Sequence, residues 1–256
     1  MIPLDADVLN DPDLPWNVTV LDEVGSTSDW LRERAASVQP GTVVFAEAQT
    51  AGRGRRDNRW ITPRGKDLMF SLLVQPPAPV EKWPRITTLA ALAVCKAVEE
   101  ELPLTPRIKW PNDIYLEDRK LSGLLAETVS AARGLALVLG IGLNVNTIDF
   151  PPHLPATSLL ARMPGATVRE VDRNSLACRL LRALHGEFLR LEDDFSAAVA
   201  EVRERSWLFG KQVRASIQGN ETFGRVIDLD EEGRLILELP DGALQVLASA
   251  ENIRPM

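Results

Sequence analysis

RIKWPNDIYLEDRKLSGLLAETVSAARGLALVLGIGLNVN, residues 107 to 146, is the stretch from which the architecture follows. Four runs in it read as strands: Arg107 to Trp110, Asp113 to Glu117, Lys120 to Val129 and Leu135 to Asn146. Glu117-Asp118-Arg119 turns the chain tightly between the second and third. Strands in direct succession predict an antiparallel or mixed sheet, since a parallel neighbour needs a long crossover.

Upstream of this block, Ile86, Leu89, Ala90, Ala93, Val94, Ala97 and Val98 recur at helical spacing and predict a well-buried helix ending near Glu101. Short strands are expected at 42–47 (TVVFAE) and 67–75 (DLMFSLLVQ), and another within 16–24, where Val18 and Val20 alternate. Gly25-Ser26-Thr27-Ser28 stands at a helix entrance, before Trp30, Leu31, Arg34, Ala35 and Val38 and a stop at Gln39-Pro40-Gly41. Downstream, a proline-rich stretch from Pro151 to Pro164 leads to an amphipathic helix from Asn174 through Leu191 and a further one reaching about Trp207. Beyond Gly210 the texture changes to short strands separated by turns at 230–233 and 240–242, the pattern of a small β-barrel. The reading is α+β: a mixed, largely antiparallel sheet backed by helices over residues 1–208, and a small barrel domain over 209–256.

Composition narrows the function. With 45% apolar and 25% charged residues the chain is ordinary globular material, and its formal charge of −7 opposes broad contact with phosphate backbones or anionic lipid. The first sixteen residues lack a basic head followed by an apolar run, and no segment has the length and apolarity of a membrane span. A cytoplasmic protein with no nucleic-acid or membrane partner is expected. Cys95 and Cys178 are far apart on apolar helix faces and read as core thiols, which excludes a disulfide framework. With only His153 and His185 present, a multi-histidine metal site is excluded, and no GxSxG accompanies a histidine triad.

The chemistry concentrates in four stretches. Gln49 to Trp60, QTAGRGRRDNRW, combines glycines that permit close backbone approach with Arg53, Arg55, Arg56 and Arg59, whose guanidinium forks suit carboxylate and phosphate oxygens. It is neither a Walker loop nor a GxGxxG turn, and by itself it reads more readily as a solvated basic loop or a nucleic-acid patch than as a ligand loop. Lys109-Trp110-Pro111-Asn112-Asp113 packs a cation, an aromatic ring, an amide and a carboxylate at a strand end. Lys120-Leu121-Ser122-Gly123 places a lysine and a close-approach glycine at the start of the next strand. Gly140 to Asn146, GIGLNVN, sets amides on an apolar strand, where a buried Asn must find partners. For each of the last three a surface ion pair or an ordinary turn is the bland alternative.

In this order and spacing, GSTS (25–28), QTAGRGR (49–55), KWPND, KLSG and GIGLNVN resemble the motifs of the biotin protein ligase family, a likeness running from about Leu21 to Asn146. The resemblance implies a sheet like that of class II aminoacyl-tRNA synthetases and an SH3-like terminal barrel. It implies an ATP-dependent ligase that joins biotin and ATP into biotinyl-5'-AMP and passes the biotinyl group to a lysine of a biotin carboxyl carrier protein. Ser26, Thr27, Ser28, Gln49, Gly52, Arg53, Gly54, Arg55, Lys120 and Gly123 would bind biotin, with the Gly52 to Arg56 loop closing over it and then over the adenylate. Arg55, Arg56, Trp60, Lys109, Asn112, Asp113, Lys120 and Asn144 would hold ATP. Lys120 and Arg55 would be catalytic, and Asp113 would order the phosphates and their Mg²⁺ indirectly. The chain departs from the family at Asp57-Asn58, where glycine followed by arginine is usual, so an acid sits in a cationic loop. Only about twenty residues precede the motifs, so the DNA-binding domain of bifunctional members is not expected. A monomer or weak homodimer is the expected assembly.

Two rivals stand beside this reading. A lipoate or octanoate transferase would share the fold, but the hydroxyls of 26–28 and Gln49 would face a plain acyl chain unpaired, at about 1–3 kcal/mol per buried group. A nucleic-acid module built on GRGRR and the barrel is opposed by the acidic balance and the lack of interleaved aromatics.

Overall fold

The structure, a computed structural model, describes residues 2–55, 58–164, 169–217, 219–248, 250 and 252–256. A short α1 (Ala6–Leu9) precedes β1 (Asn17–Leu21), α2 (Thr27–Arg34) and β2 (Thr42–Ala46), and β1 and β2 pair in parallel because α2 supplies the crossover. β3 (Leu68–Val74), α3 (Arg85–Glu101), β4 (Arg107–Lys109), β5 (Asp113–Leu116), β6 (Arg119–Ala131) and β7 (Gly134–Leu143) follow. The seven strands form one sheet in the order β1-β2-β3-β7-β6-β5-β4, antiparallel throughout except at β1/β2.

One face of the sheet carries the main core. Leu89, Leu92 and Val94 of α3 are fully buried there with Leu176, Leu180 and Leu184 of α4 (Arg173–Phe188) and with α5 (Phe195–Glu204). The other face holds a smaller core of Leu31, Ala35, Val44, Leu73, Ala136 and Val138 beneath α2. α4 begins one residue before the expected Asn174, because the Asp172 carboxylate caps it, accepting from the N–H groups of Asn174 and Ser175. Cys95 is buried in α3, where burial pushes its thiol up, and Cys178 is half-buried in α4; neither forms a disulfide.

Two buried carboxylates tie this frame together. Arg173 grips Glu47 with both terminal nitrogens, at 2.8 and 3.1 Å, and also donates to Ile2 O and Asp67 O. Asp67, fully buried, accepts from the N–H groups of Val145, Asn146 and Thr147 and from the Thr147 hydroxyl, which fixes the chain as it leaves β7.

The terminal barrel expected from sequence is a five-stranded antiparallel sheet: β8 (Gln212–Ile217), β9 (Asn220–Leu229), β10 (Leu235–Glu238), β11 (Leu244–Leu247) and β12 (Asn252–Pro255), in the order β11-β10-β9-β8-β12. Its buried residues, among them Val213, Val226 and Leu237, are continuous with the main core. Trp110 Nε1 donates to Gly233 O at 2.9 Å, and Arg85 pairs with Glu232. No helix among the described residues is long and apolar enough to cross a membrane.

Candidate active site

Alternation along β7 sorts its side chains between the two faces of the sheet. Leu137, Leu139, Ile141 and Leu143 enter the main core, Ala136 and Val138 pack beneath α2, and the row continues with Gly140 and Gly142. Gly123 of β6 lies opposite Gly142, and Gly140 has Leu125 on one side and Ser71 of β3 on the other. The sheet therefore loses its side chains in one patch beside α2, and a cavity stands where core would otherwise be.

The N-terminus of α2 lies against this cavity. Ser26 is its cap, with Oγ accepting from Asp29 N–H at 3.4 Å. The Thr27 N–H and hydroxyl donate to Gln49 Oε1 at 2.8 and 3.2 Å, while Thr27 Oγ1 and Ser28 Oγ lie 2.8 and 2.9 Å from the fully buried Ser71 Oγ. The donors can run in one direction, Ser28 to Ser71 to Thr27 to Gln49, which satisfies every buried hydroxyl in the chain and presents oxygens to the cavity. A helix N-terminus adds a partial positive charge, so the patch suits a neutral polar head with its own donors and acceptors.

The Arg/Gly stretch folds back on itself beside the cavity. Trp60 N–H donates to Gly52 O at 3.0 Å and Gly54 N–H to Asn58 O at 2.8 Å. A Cβ on Gly52 would stand 2.4 Å from Trp60 O, so only glycine fits there. Gly52 serves this packing and does not itself line the cavity. The Trp60 ring rests on the glycine floor, since a Cβ on Gly142 would lie 2.4 Å from Trp60 Cε2. Its buried Nε1 has no hydrogen-bond partner among the described residues. Arg53 lines the cavity, but its guanidinium is clasped by Glu127 at 2.6 and 2.7 Å and by Asp29 at 3.1 Å, and the Glu127 hydrogen bonds hold its pKa above the ordinary arginine value. Arg55 donates to Asn112 Oδ1 at 2.8 Å and to Ala250 O at 2.9 Å. The expectations for Arg56 and Asp57 lie outside the described residues.

A second cavity of about 390 Å³ continues from the first. Gly54, Arg55, Trp60, Asn112 and Lys120 line both. Lys109, Asp113 and Asn144 line only the second, and Ser26, Thr27, Ser28, Gln49, Arg53 and Gly123 only the first. Lys120 Nζ sits 2.6 Å from Asp113 Oδ1 and 5.8 Å from the centre of the Trp60 ring. Lys109 donates to the Tyr115 hydroxyl at 3.1 Å, and burial pulls its ammonium below the ordinary lysine value. Asn112 also donates to Leu124 O, and Asn144, almost wholly buried, donates to Thr157 O, which answers the demand for partners. No cluster of three or more His, Cys, Asp or Glu suited to a metal occurs among the described residues, and Asp113 is a single carboxylate in the cleft.

Sequence reading missed Ser71, taken only as part of a strand; its one signal is a lone hydroxyl amid apolar neighbours. It also missed Asp29 and Glu127, because the clasp on Arg53 joins residues 24 and 74 positions away from it.

A glycine-floored pocket under a helix N-terminus, joined through one lysine to a second cleft, defines a class of ligase. The model of the "Biotin/lipoate A/B protein ligase family" matches residues 20–144, and that of the "Biotin protein ligase C terminal domain" matches 208–251. The "Biotin--[acetyl-CoA-carboxylase] ligase" of Mycobacterium tuberculosis is 35% identical over 241 residues, covering 91% of this chain and 87% of that protein. The "Bifunctional ligase/repressor BirA" of Escherichia coli is 31% identical, covering 90% of this chain and 71% of that protein. A solved "Biotin protein ligase from Aquifex aeolicus in complex with biotin and ATP" superposes with a TM-score of 0.83 at 27% identity, covering 93% of this chain and 99% of that one. The chain belongs to the biotin protein ligase family.

Proposed function

We propose that the chain is an ATP-dependent ligase that forms biotinyl-5'-AMP and transfers the biotinyl group to a lysine of a biotin carboxyl carrier protein, in the cytoplasm. The observation that carries this is the sharing of Lys120 and Arg55 by the two cavities, one fitted to a polar ring and the other large and cationic. A free carboxylate is a poor electrophile, so biotin must first become a mixed anhydride with AMP. That step presses a carboxylate against a phosphate, a repulsion of about 4 kcal/mol per pair of unit charges at 4 Å and an effective dielectric near 20. Lys120 and Arg55, at the junction of the cavities, offset it most where charge builds in the transition state. Asp113 pairs with Lys120 and lines the second cavity, where it would help hold the Mg²⁺ that ATP carries, since one carboxylate plus substrate phosphates suffice for that ion. Ser26, Thr27, Ser28 and Gln49 take the ureido ring, while Trp60, Asn112, Asn144 and Lys109 border the nucleotide. In the second step the acceptor lysine attacks the biotinyl carbonyl; free at pH 7, less than about 0.1% of such a lysine is neutral, so a proton must leave it first.

Biotin-dependent exchange of pyrophosphate into ATP tests the first step, and label transfer to a carrier domain tests the second. Absence of exchange with the pure protein would end this reading. The pocket assignment has its own test in Gly140→Ala, whose Cβ would stand 2.6 Å from Ser28 Oγ and push the hydroxyl out of its chain. Biotin affinity measured by calorimetry should fall about tenfold, or about 1.4 kcal/mol, with the ATP KM unchanged. Unaltered biotin affinity would place the vitamin elsewhere.

A further inference from the structure

The two lysines of the second cavity are held by different means. Lys120 meets a carboxylate, whereas the Lys109 ammonium lies 4.9 Å from the centre of the Tyr115 ring and 5.7 Å from that of Trp207, both within cation–π range. The rings pack on one another, 4.6 Å between centroids with planes tilted by 37°. Tyr115 comes to Lys109 locally, as its diagonal neighbour on one face of the β4/β5 ladder. Trp207 comes from far along the chain. β4 is an edge of the seven-stranded sheet, and the segment leaving α5 covers it: Ile108 N–H donates to Arg205 O at 2.8 Å, and Trp207 N–H to Ile108 O at 2.9 Å. The indole is fixed at its other end in the turn before β6, where Nε1 donates to Glu117 O at 3.0 Å and to Asp118 Oδ1 at 3.2 Å. The same ring carries Lys211, whose Nζ lies 3.1 Å from its centroid. Lys109 and Tyr115 line the cavity and Trp207 does not, so the indole acts on a ligand there only through the side chains it holds.

We propose that Trp207 is a positioning residue: with Tyr115 it forms an aromatic cage that holds the Lys109 ammonium at the wall of the second cavity, ready for a polyphosphate. The inference rests on the reading of this cleft as the ATP site, and Trp207 lies outside every motif of that reading, in the link between α5 and β8. A free lysine stem loses rotamer freedom when an anion captures it, and a cage that has already ordered the stem removes that cost from binding. Burial disfavours the Lys109 charge and Asp113 favours it, and the negative faces of the two rings add to the second effect. Rings, unlike a carboxylate, hold an ammonium without competing with an incoming anion for it.

The test uses the full chain with Trp207→Leu, which keeps bulk, Trp207→Phe, which keeps a ring, Lys109→Ala, and the double variant Lys109→Ala/Trp207→Leu. In biotin-dependent exchange, Trp207→Leu should raise the ATP KM about fivefold, the size of one cation–π contact, while the biotin KM stays as it is. Trp207→Phe should restore most of the loss. Lys109→Ala should raise the ATP KM further, and adding Trp207→Leu to it should change nothing more, because the indole acts through that ammonium. Additive effects in the double variant would mean that Trp207 only supports the fold, and either that result or an unchanged ATP KM in Trp207→Leu would overturn the proposal. Nuclear magnetic resonance of lysine labelled at Cε follows the cage without turnover, the Lys109 signal being assigned by its loss in Lys109→Ala. Its ε protons should lie upfield in the wild type and in Trp207→Phe, and move toward the position of an exposed lysine in Trp207→Leu; an unmoved signal would overturn the cage. A wild type that lacks biotin-dependent exchange, with the Lys109 signal moving as expected, would instead sink the ligase reading of the cleft and leave the cage standing.

Discussion

Lys120→Ala should lower biotin-dependent pyrophosphate exchange by two orders of magnitude or more while ATP affinity changes only a few-fold, a barrier increase of roughly 3 kcal/mol. The size follows from position. Lys120 is the one lysine that lines both cavities, so on the proposed reading its ammonium would face the carboxylate of one substrate and the phosphate of the other. Its contribution is largest as negative charge is compressed between them, and an interaction made chiefly in the transition state lowers kcat rather than raising KM. The truncation has a second consequence. Asp113, 2.6 Å from Nζ, would keep its charge and lose its partner, adding a bare anion to a site that must gather anions. Lys120→Ala combined with Asp113→Asn should therefore recover part of the loss, and an exchange rate for the single variant within about threefold of wild type would remove Lys120 from the chemistry.

Arg173→Ala should be the most destabilising single change outside the site, by about 3–5 kcal/mol, because it leaves the Glu47 carboxylate buried beside an empty volume. The Arg173 side chain is 2% exposed and Glu47 11%, so water cannot replace the lost partner. The guanidinium also binds Ile2 O and Asp67 O, and Leu4 N–H donates to Glu47 at 2.6 Å, so the amino-terminal segment, the end of β2 and the start of α4 loosen together. Against a total stability of about 5–15 kcal/mol this is a large fraction, and with about 2–4 °C per kcal/mol the melting midpoint should fall by about 10 °C. Replacing both partners with apolar residues of similar volume should cost less than the single truncation. A midpoint within about 2 °C of wild type for Arg173→Ala would show that the pair is not the tie described.

The two results separate the levels at which this protein is specified. Elements were legible wherever one period dominated: the apolar repeat of α3, the succession β4 to β7, and GSTS as a helix entrance all follow from side-chain spacing, because spacing alone sets which residues can share a face. The fifth strand of the terminal sheet, β12, was not legible, since its four residues, Asn252-Ile253-Arg254-Pro255, carry no alternation to speak of and owe their conformation to pairing with β8. The same limit explains Arg254, which lines the second cavity only because that ladder returns the chain there.

By itself, the order of the residues determined the family, the elements of the catalytic sheet and the identities of the groups that carry charge. Tertiary structure alone decided which of those charges are spoken for: Arg53 turns to Glu127 and Asp29, Lys120 to Asp113, and Ser71 completes a hydroxyl chain with residues more than forty positions away. The reason is physical. A guanidinium or hydroxyl has the same bonding capacity wherever it stands in the chain, and its partner is chosen by what the folded sheet and helices bring within about 3 Å of it.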